Sequence, residues 1–111
     1  MTFSTDLKRG STELLILALL EDRPRHGYEI GKSIEARSEG RLTYSIPSLY
    51  PMLCRLEERG LIKGRWVEKP GERRRRFYQL TQEGRAALAR ERRNWQDFIS
   101  VMTRVGGLDH A

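Results

Sequence analysis

Four consecutive arginines, Arg73 to Arg76, are the densest run of one functional group in the chain. A guanidinium grips phosphate oxygens through parallel charge-assisted hydrogen bonds, so such a cluster suits a polyanion better than bond-making chemistry. The surrounding charge sharpens the point. Residues 61–80 hold seven basic and two acidic side chains, residues 1–60 hold nine of each, and residues 81–111 hold five basic and four acidic. Most of the net charge of +6 therefore sits in one short segment. A solvated loop accounts for many charge runs, but concentration on one element is what attracts phosphates. Catalysis is poorly supplied. The two histidines and the single cysteine, Cys54, lie far apart in sequence, and no nucleophile–base pair or phosphate-cradling glycine loop is visible, so no enzyme is expected. The same scarcity leaves no metal constellation and no expected cofactor.

The 111 residues, 38% hydrophobic and 32% charged, suit one globular domain with at most an appended element. A lone cysteine closes no intramolecular disulfide and fits a reducing cytoplasm. No apolar run nears the ~20 residues that span a bilayer. Lys8 and Arg9 followed by Leu14–Leu20 outline a signal peptide, but Glu21, Asp22 and Arg23 stand where small cleavage-site residues belong.

The elements that must carry the arginines can be read in order. Residues 1–10 are a polar arm. Ser11 is placed to cap a helix whose Leu14–Leu20 segment is apolar all round, which marks burial on more than one side. Arg23-Pro24-Arg25 breaks it. A second helix spans about His26 to Arg37, with Gly27 and Gly31 one turn apart, and Ser38-Glu39-Gly40 ends it. Leu42-Thr43-Tyr44 reads as a short extended stretch. A third helix covers about Pro47 to Arg59, with Leu49, Leu53 and Leu56 facing inward and Met52 at the margin. Its start is either Ser45, which puts Pro51 inside the helix, or Ser48; the Ser45 start, with a distorted first turn, is preferred. Gly60 and Leu61 fit its stop, with Leu61 against Leu56. The period then changes to two: Ile62, Gly64 and Trp66 alternate with Lys63, Arg65 and Val67, and Tyr78 and Leu80 with Phe77 and Gln79. Glu68 to Glu72 is the turn between two strands, and the arginines lie on its tip and the returning strand. Thr81 caps a last helix running to about Val105. Leu88, Trp95, Phe98, Met102 and Val105 follow a seven-residue spacing, with Glu91 the polar exception and Ile99 widening the stripe.

Three helices, a hairpin with a basic tip and a long helix make a mainly α fold with a small β-hairpin, a winged helix-turn-helix plus an appended C-terminal helix. In that arrangement the third helix enters the major groove and the wing reaches phosphates beside it. The residues also resemble the PadR family of transcriptional regulators, in its short branch with a single C-terminal helix. The matching stretches are Leu14–Leu20, His26-Gly27-Tyr28-Glu29-Ile30, Ser48-Leu49-Tyr50-Pro51-Met52-Leu53-Cys54-Arg55-Leu56-Glu57, Gly60-Leu61-Ile62 and Arg75-Arg76-Phe77-Tyr78-Gln79-Leu80-Thr81, and the likeness spans about residues 8 to 105. It implies a homodimeric DNA-binding repressor whose C-terminal helices pair and which, in some members, is released from DNA by a small aromatic or drug-like ligand. The expected division is an arm over 1–10, a DNA-binding domain over 11–80, a dimerisation helix over 81–107 and a tail over 108–111.

On this reading Tyr28, Ser45, Ser48 and Tyr50 offer hydroxyls to phosphates, and Arg55 is exposed to pair with Glu58 or to reach a guanine edge. Tyr28 and Tyr50 are equally placed for packing, and the two serines for capping. Four successive arginines cannot share one strand face, so two or three of Arg73, Arg74, Arg75 and Arg76 meet a duplex, Arg73 and Arg75 first. Trp66 is expected to pack across the hairpin against Tyr78. Leu15, Leu88, Trp95, Phe98, Ile99, Met102 and Val105 are the candidate dimer residues. Trp95, Phe98 and Leu15 are the candidate effector platform, an assignment that rests on the family resemblance. His26 is expected to position a helix start. A nucleic-acid module without ligand control, or a protein-interaction module on the same fold, are the competing readings.

Overall fold

The apolar segment after Ser11 forms the central helix α1 (Thr12–Leu19) of the computed structural model, which describes residues 10–108. The expected arm therefore lies, but for Gly10, outside the described residues, as does the tail after Leu108. Ile16, Leu17, Leu19 and Leu20 are all buried, as an all-round apolar helix requires. Ser11 holds the N-cap position but makes no side-chain capping bond. Its backbone is already helical, with ψ −17°, and lacks the extended geometry that swings a hydroxyl over the first turn.

The short strand is β1 (Arg25–His26), and it precedes helix α2 (Gly27–Arg37). The stretch Leu42-Thr43-Tyr44, expected to be extended, joins no sheet. What fixes β1 is Arg25, whose side chain is buried although charged. Its Nε donates to the Leu19 carbonyl at 2.7 Å, and its Nη groups reach Glu29 at 3.2 Å and Asp22 at 3.3 Å. Such a charge is tolerable in a core only when its donors are satisfied in this way.

Helix α3 (Ile46–Glu58) starts from Ser45, whose Oγ accepts from the Ser48 N–H at 3.3 Å, and Pro51 lies inside it. Packing of Leu49, Leu53 and Leu56 into the core holds the proline-bearing turn in place. Gly31 lets α2 approach closely: a Cβ there would stand 3.2 Å from the Tyr44 carbonyl oxygen and 3.4 Å from Leu49. The stop is the expected one. Gly60 is left-handed at φ 75°, and the Leu61 N–H bonds the Leu56 carbonyl at 3.0 Å, with both leucines buried.

Strands β2 (Ile62–Val67) and β3 (Arg75–Leu80) pair antiparallel in the sheet order β1-β3-β2, with Gly64 opposite Tyr78 and Trp66 opposite Arg76. Pro70-Gly71 makes the tip, where the Glu72 N–H bonds the Lys69 carbonyl at 3.0 Å and Gly71 takes φ 77°.

Helix α4 (Gln82–Gly106) is capped by Thr81, whose Oγ1 accepts from the Gly84 N–H at 3.0 Å and donates to the Gly60 carbonyl at 2.7 Å. Its 25 residues extend about 37 Å. Gly84, Ala87 and Leu88 are buried against the body, and Arg92 closes a two-bond ion pair on Glu21, at 2.9 and 3.1 Å. Beyond that point Phe98, Ile99, Val101, Met102 and Val105 are exposed. Leu88 is thus withdrawn from the candidate dimer residues: it is 2% exposed and belongs to the chain's own core. The architecture is a winged helix-turn-helix with a long C-terminal helix. No helix among the described residues is long and apolar enough to cross a membrane.

Candidate nucleic-acid interface

The N-terminal half of α3 and the wing face each other across a cleft of about 210 Å³. Ile46, Leu49 and Leu53 of α3 line one side, Trp66, Tyr78 and Arg73–Arg76 the other, with His26 and Tyr28 at one end. The helix and the arginines therefore share one continuous surface, the arrangement on which the sequence reading depends.

On α3 the inward leucines leave Pro47, Ser48, Tyr50, Pro51 and Arg55 exposed. Ser45 and Ser48 sit Oγ to Oγ at 2.9 Å at the helix start, both accessible, so capping and phosphate contact are compatible. Tyr50 is 55% exposed, and the neighbouring Cys54 side chain pushes its phenol above the usual pKa. Arg55 does not pair with Glu58. Its Nη2 turns back one turn to the Met52 sulfur at 3.7 Å, and no carboxylate among the described residues takes its charge.

Tyr28 is also half exposed, with the Lys32 ammonium 5.5 Å from its ring centre and the His26 ring stacked at 6.4 Å. His26 caps α2 as expected: Nδ1 accepts from the Glu29 N–H at 3.2 Å, and the Phe77 ring meets it edge-on at 5.1 Å. Burial, and then the charge of Arg75, push its pKa below the usual value, so the neutral ring that capping requires is the stable one.

The four arginines separate by strand alternation. Arg76 lies across the sheet from Trp66 on the side of α3, 27% exposed, with Nη2 2.7 Å from the Glu57 carboxylate. The same carboxylate accepts the Gly64 N–H at 3.2 Å, so one α3 side chain ties down the wing. Arg74 stacks on Trp66 at 4.6 Å and touches Glu68 at 3.3 Å. Arg73 and Arg75 are exposed and have no ion pair among the described residues. Trp66 packs across the hairpin as expected, but its partners are arginines: the register sets Arg76 opposite it and gives Tyr78 to Gly64. Sequence reasoning missed Glu57, one of several charges crowded at the end of α3, and the interleaving of Trp66 with arginines. The alternation of Gly64, Trp66, Arg74 and Arg76 was its only trace.

Trp95 and Phe98 meet edge to face at 5.7 Å and border, with Asn94, an open hollow of about 270 Å³. Leu15 is not with them. It lines a separate hollow between α1 and α2 with Ala18, Leu19, Ile34 and Leu42, because it turns toward α2 while α4 covers another side of α1. Within one chain the expected three-residue platform is therefore divided.

The sequence model described as the transcriptional regulator PadR-like family matches residues 16–90. The transcriptional regulator YqjI of Escherichia coli is 36% identical over 83 residues, which are 75% of this chain and 38% of YqjI. A transcriptional regulator of Clostridium thermocellum is 30% identical with a TM-score of 0.85, covering 94% of this chain and 98% of that one. Bacillus subtilis PadR, solved in complex with operator DNA, has a TM-score of 0.65 at 24% identity over 74% of this chain and 46% of its own, a likeness of fold.

Proposed function

Because the chain belongs to the PadR-like family of transcriptional regulators, we propose that it is a sequence-specific repressor that binds operator DNA as a homodimer. The observation that carries this reading is the shared cleft: Tyr50 of α3 and Arg73, Arg74 and Arg75 of the wing line it together, and Ser48 and Arg55 are exposed on the same helix. The helix supplies side chains for base edges and the wing supplies phosphate contacts. Tyr28 and Ser45 extend the same surface at the start of α2 and α3.

Pairing through the distal half of α4 covers its exposed Phe98, Ile99, Met102 and Val105, with Trp95 at the base of that stripe. A two-fold dimer of this kind presents two α3 helices to half-sites about 34 Å apart along the duplex. Trp95 and Phe98 offer an aromatic wall for a planar effector, and a partner's surface, with Leu15 on it, would complete the enclosure. The experiment is a fluorescence-anisotropy titration of the protein with the DNA upstream of its own gene and with shuffled duplexes, at fixed salt. Binding to the upstream site about 10³-fold or more tighter than to shuffled DNA is expected. Equal, weak binding to every duplex refutes sequence reading.

A further inference from the structure

The wing's four arginines are not equivalent, and the structure separates them by what each already holds. Arg76 is built in. Its guanidinium lies over Gly64, where a Cβ would stand only 2.7 Å from Nε, so glycine opposite Tyr78 is what lets it lie flat. It is flanked by the rings of Trp66 at 5.6 Å and Tyr78 at 5.9 Å, and it is neutralised by Glu57 at 2.7 Å. Arg74 takes the Trp66 ring from closer, at 4.6 Å. Its carboxylate contact is through Nε to Glu68, with both side chains well exposed, which leaves both Nη groups without an ion-pair partner among the described residues and the pairing weak. Among the described residues, Arg73 and Arg75 rest on no aromatic face.

Resting on the reading that the wing meets DNA, we propose that Arg74 is the wing's principal DNA-contacting arginine and that Trp66 is its positioning residue, while Arg76 is a strut between wing and α3. A free arginine loses much rotamer freedom when it docks. One already stacked on an indole loses less, and its planar fork arrives oriented. Trp66 is 53% exposed, an uncommon place for an indole with no polar partner among the described residues, and the stack accounts for it. The assignment reverses the sequence expectation that Arg73 and Arg75 lead.

The test uses the full chain and a duplex from its upstream region that the wild type binds, titrated by anisotropy at several KCl concentrations. Arg74→Ala is expected to weaken binding at least tenfold and to flatten the salt slope by about 0.9, the loss of one phosphate contact. Trp66→Ala weakens it about fivefold, and Trp66→Phe stays within twofold of wild type. The double variant is no weaker than Arg74→Ala within twofold, because the ring acts through the arginine. Arg73→Ala and Arg75→Ala each cost less than Arg74→Ala. In a Trp95→Phe background, Trp66 is the sole indole, and Arg74→Ala changes its emission in the free protein, a readout independent of DNA. Arg74→Ala binding like wild type, losses for Trp66→Ala and Arg74→Ala that multiply, or unchanged Trp66 emission overturns the proposal. A wild type that binds no duplex at all instead overturns the DNA reading beneath it.

Discussion

Replacing Gly84 by alanine should destabilise the protein, whereas the same change at Gly106, in the same helix, should not. An alanine Cβ at Gly84 would stand 2.0 Å from the Leu61 carbonyl oxygen, 2.6 Å from Leu80 Cδ1 and 3.0 Å from the Leu61 carbonyl carbon. The nearest obstacle is backbone at the base of the wing, and it cannot rotate away. That backbone is also held by Thr81, whose N–H bonds the Leu61 carbonyl at 3.1 Å. Overpacking of this kind costs about 3 kcal/mol when a rigid group must move. Alanine returns about 1 kcal/mol of helix propensity, so a net loss of about 2 kcal/mol is expected. For a domain of this size that corresponds to a fall of about 10 °C in Tm. At Gly106 the nearest atom is Leu108 Cγ at 3.8 Å, ordinary contact, so only the propensity gain remains. Urea and thermal unfolding of both variants, at one protein concentration, checks the pair. A Gly84→Ala variant as stable as wild type refutes the close seating of α4 on the wing.

Stability should fall as pH drops below about 6.5, the ordinary histidine value, because His26 has a depressed folded-state pKa and the unfolded chain takes up the proton first. His26→Asn, which keeps a capping acceptor, should flatten that part of the profile in urea titrations between pH 5 and 8. Arg25→Met should cost about 2 kcal/mol by chemical denaturation. It orphans the Leu19 carbonyl, while exposed Asp22 and partly exposed Glu29 recover water. Phe98→Asp with Met102→Asp should yield monomers in sedimentation velocity and weaken operator binding by removing bivalency, with the melting of the DNA-binding body little changed. A monomeric wild type would remove the basis for this last expectation.

Much of this structure was legible in the residues because local chemistry and tertiary packing agree there. Ser45 and Thr81 are capping residues and do cap. Gly60 followed by Leu61 is a helix stop with its hydrophobic partner, and the change to a period of two after Leu61 is the hairpin. The failures fall where one sequence pattern admits two partners. Arg25-His26 carried no strand signal, since two residues show no alternation; the free edge of β3 and the ties of Arg25 made it a strand. Trp66 was assigned to Tyr78 because both are aromatic, but a two-residue shift in register gives each a different neighbour. The arginines of the wing looked interchangeable. Only the placement of Glu57, Gly64 and Trp66 around them shows that one is fastened, one is stacked and two are exposed.

The seven-residue stripe on α4 is apolar in sequence but for Glu91 and divided in structure, and the division bears on function. Leu88 is 2% exposed and Val105 is 83% exposed, although both fall on the same spacing. What differs is the surface beneath them: α1, β3 and the base of the wing underlie the first turns, and the Glu21–Arg92 pair marks about where that cover ends. A helical segment of three or four turns without tertiary support is marginal in water. A contiguous row of large apolar side chains also marks a surface meant to be covered. Both costs vanish together if a second α4 lies along the stripe, because the same contacts that bury Phe98, Met102 and Val105 hold the distal turns helical. On this argument the distal helix and the dimer form in one step. The distance between two reading surfaces is then set by a rigid strut seated at Gly84 rather than by a flexible linker, as recognition of two half-sites at a fixed spacing requires.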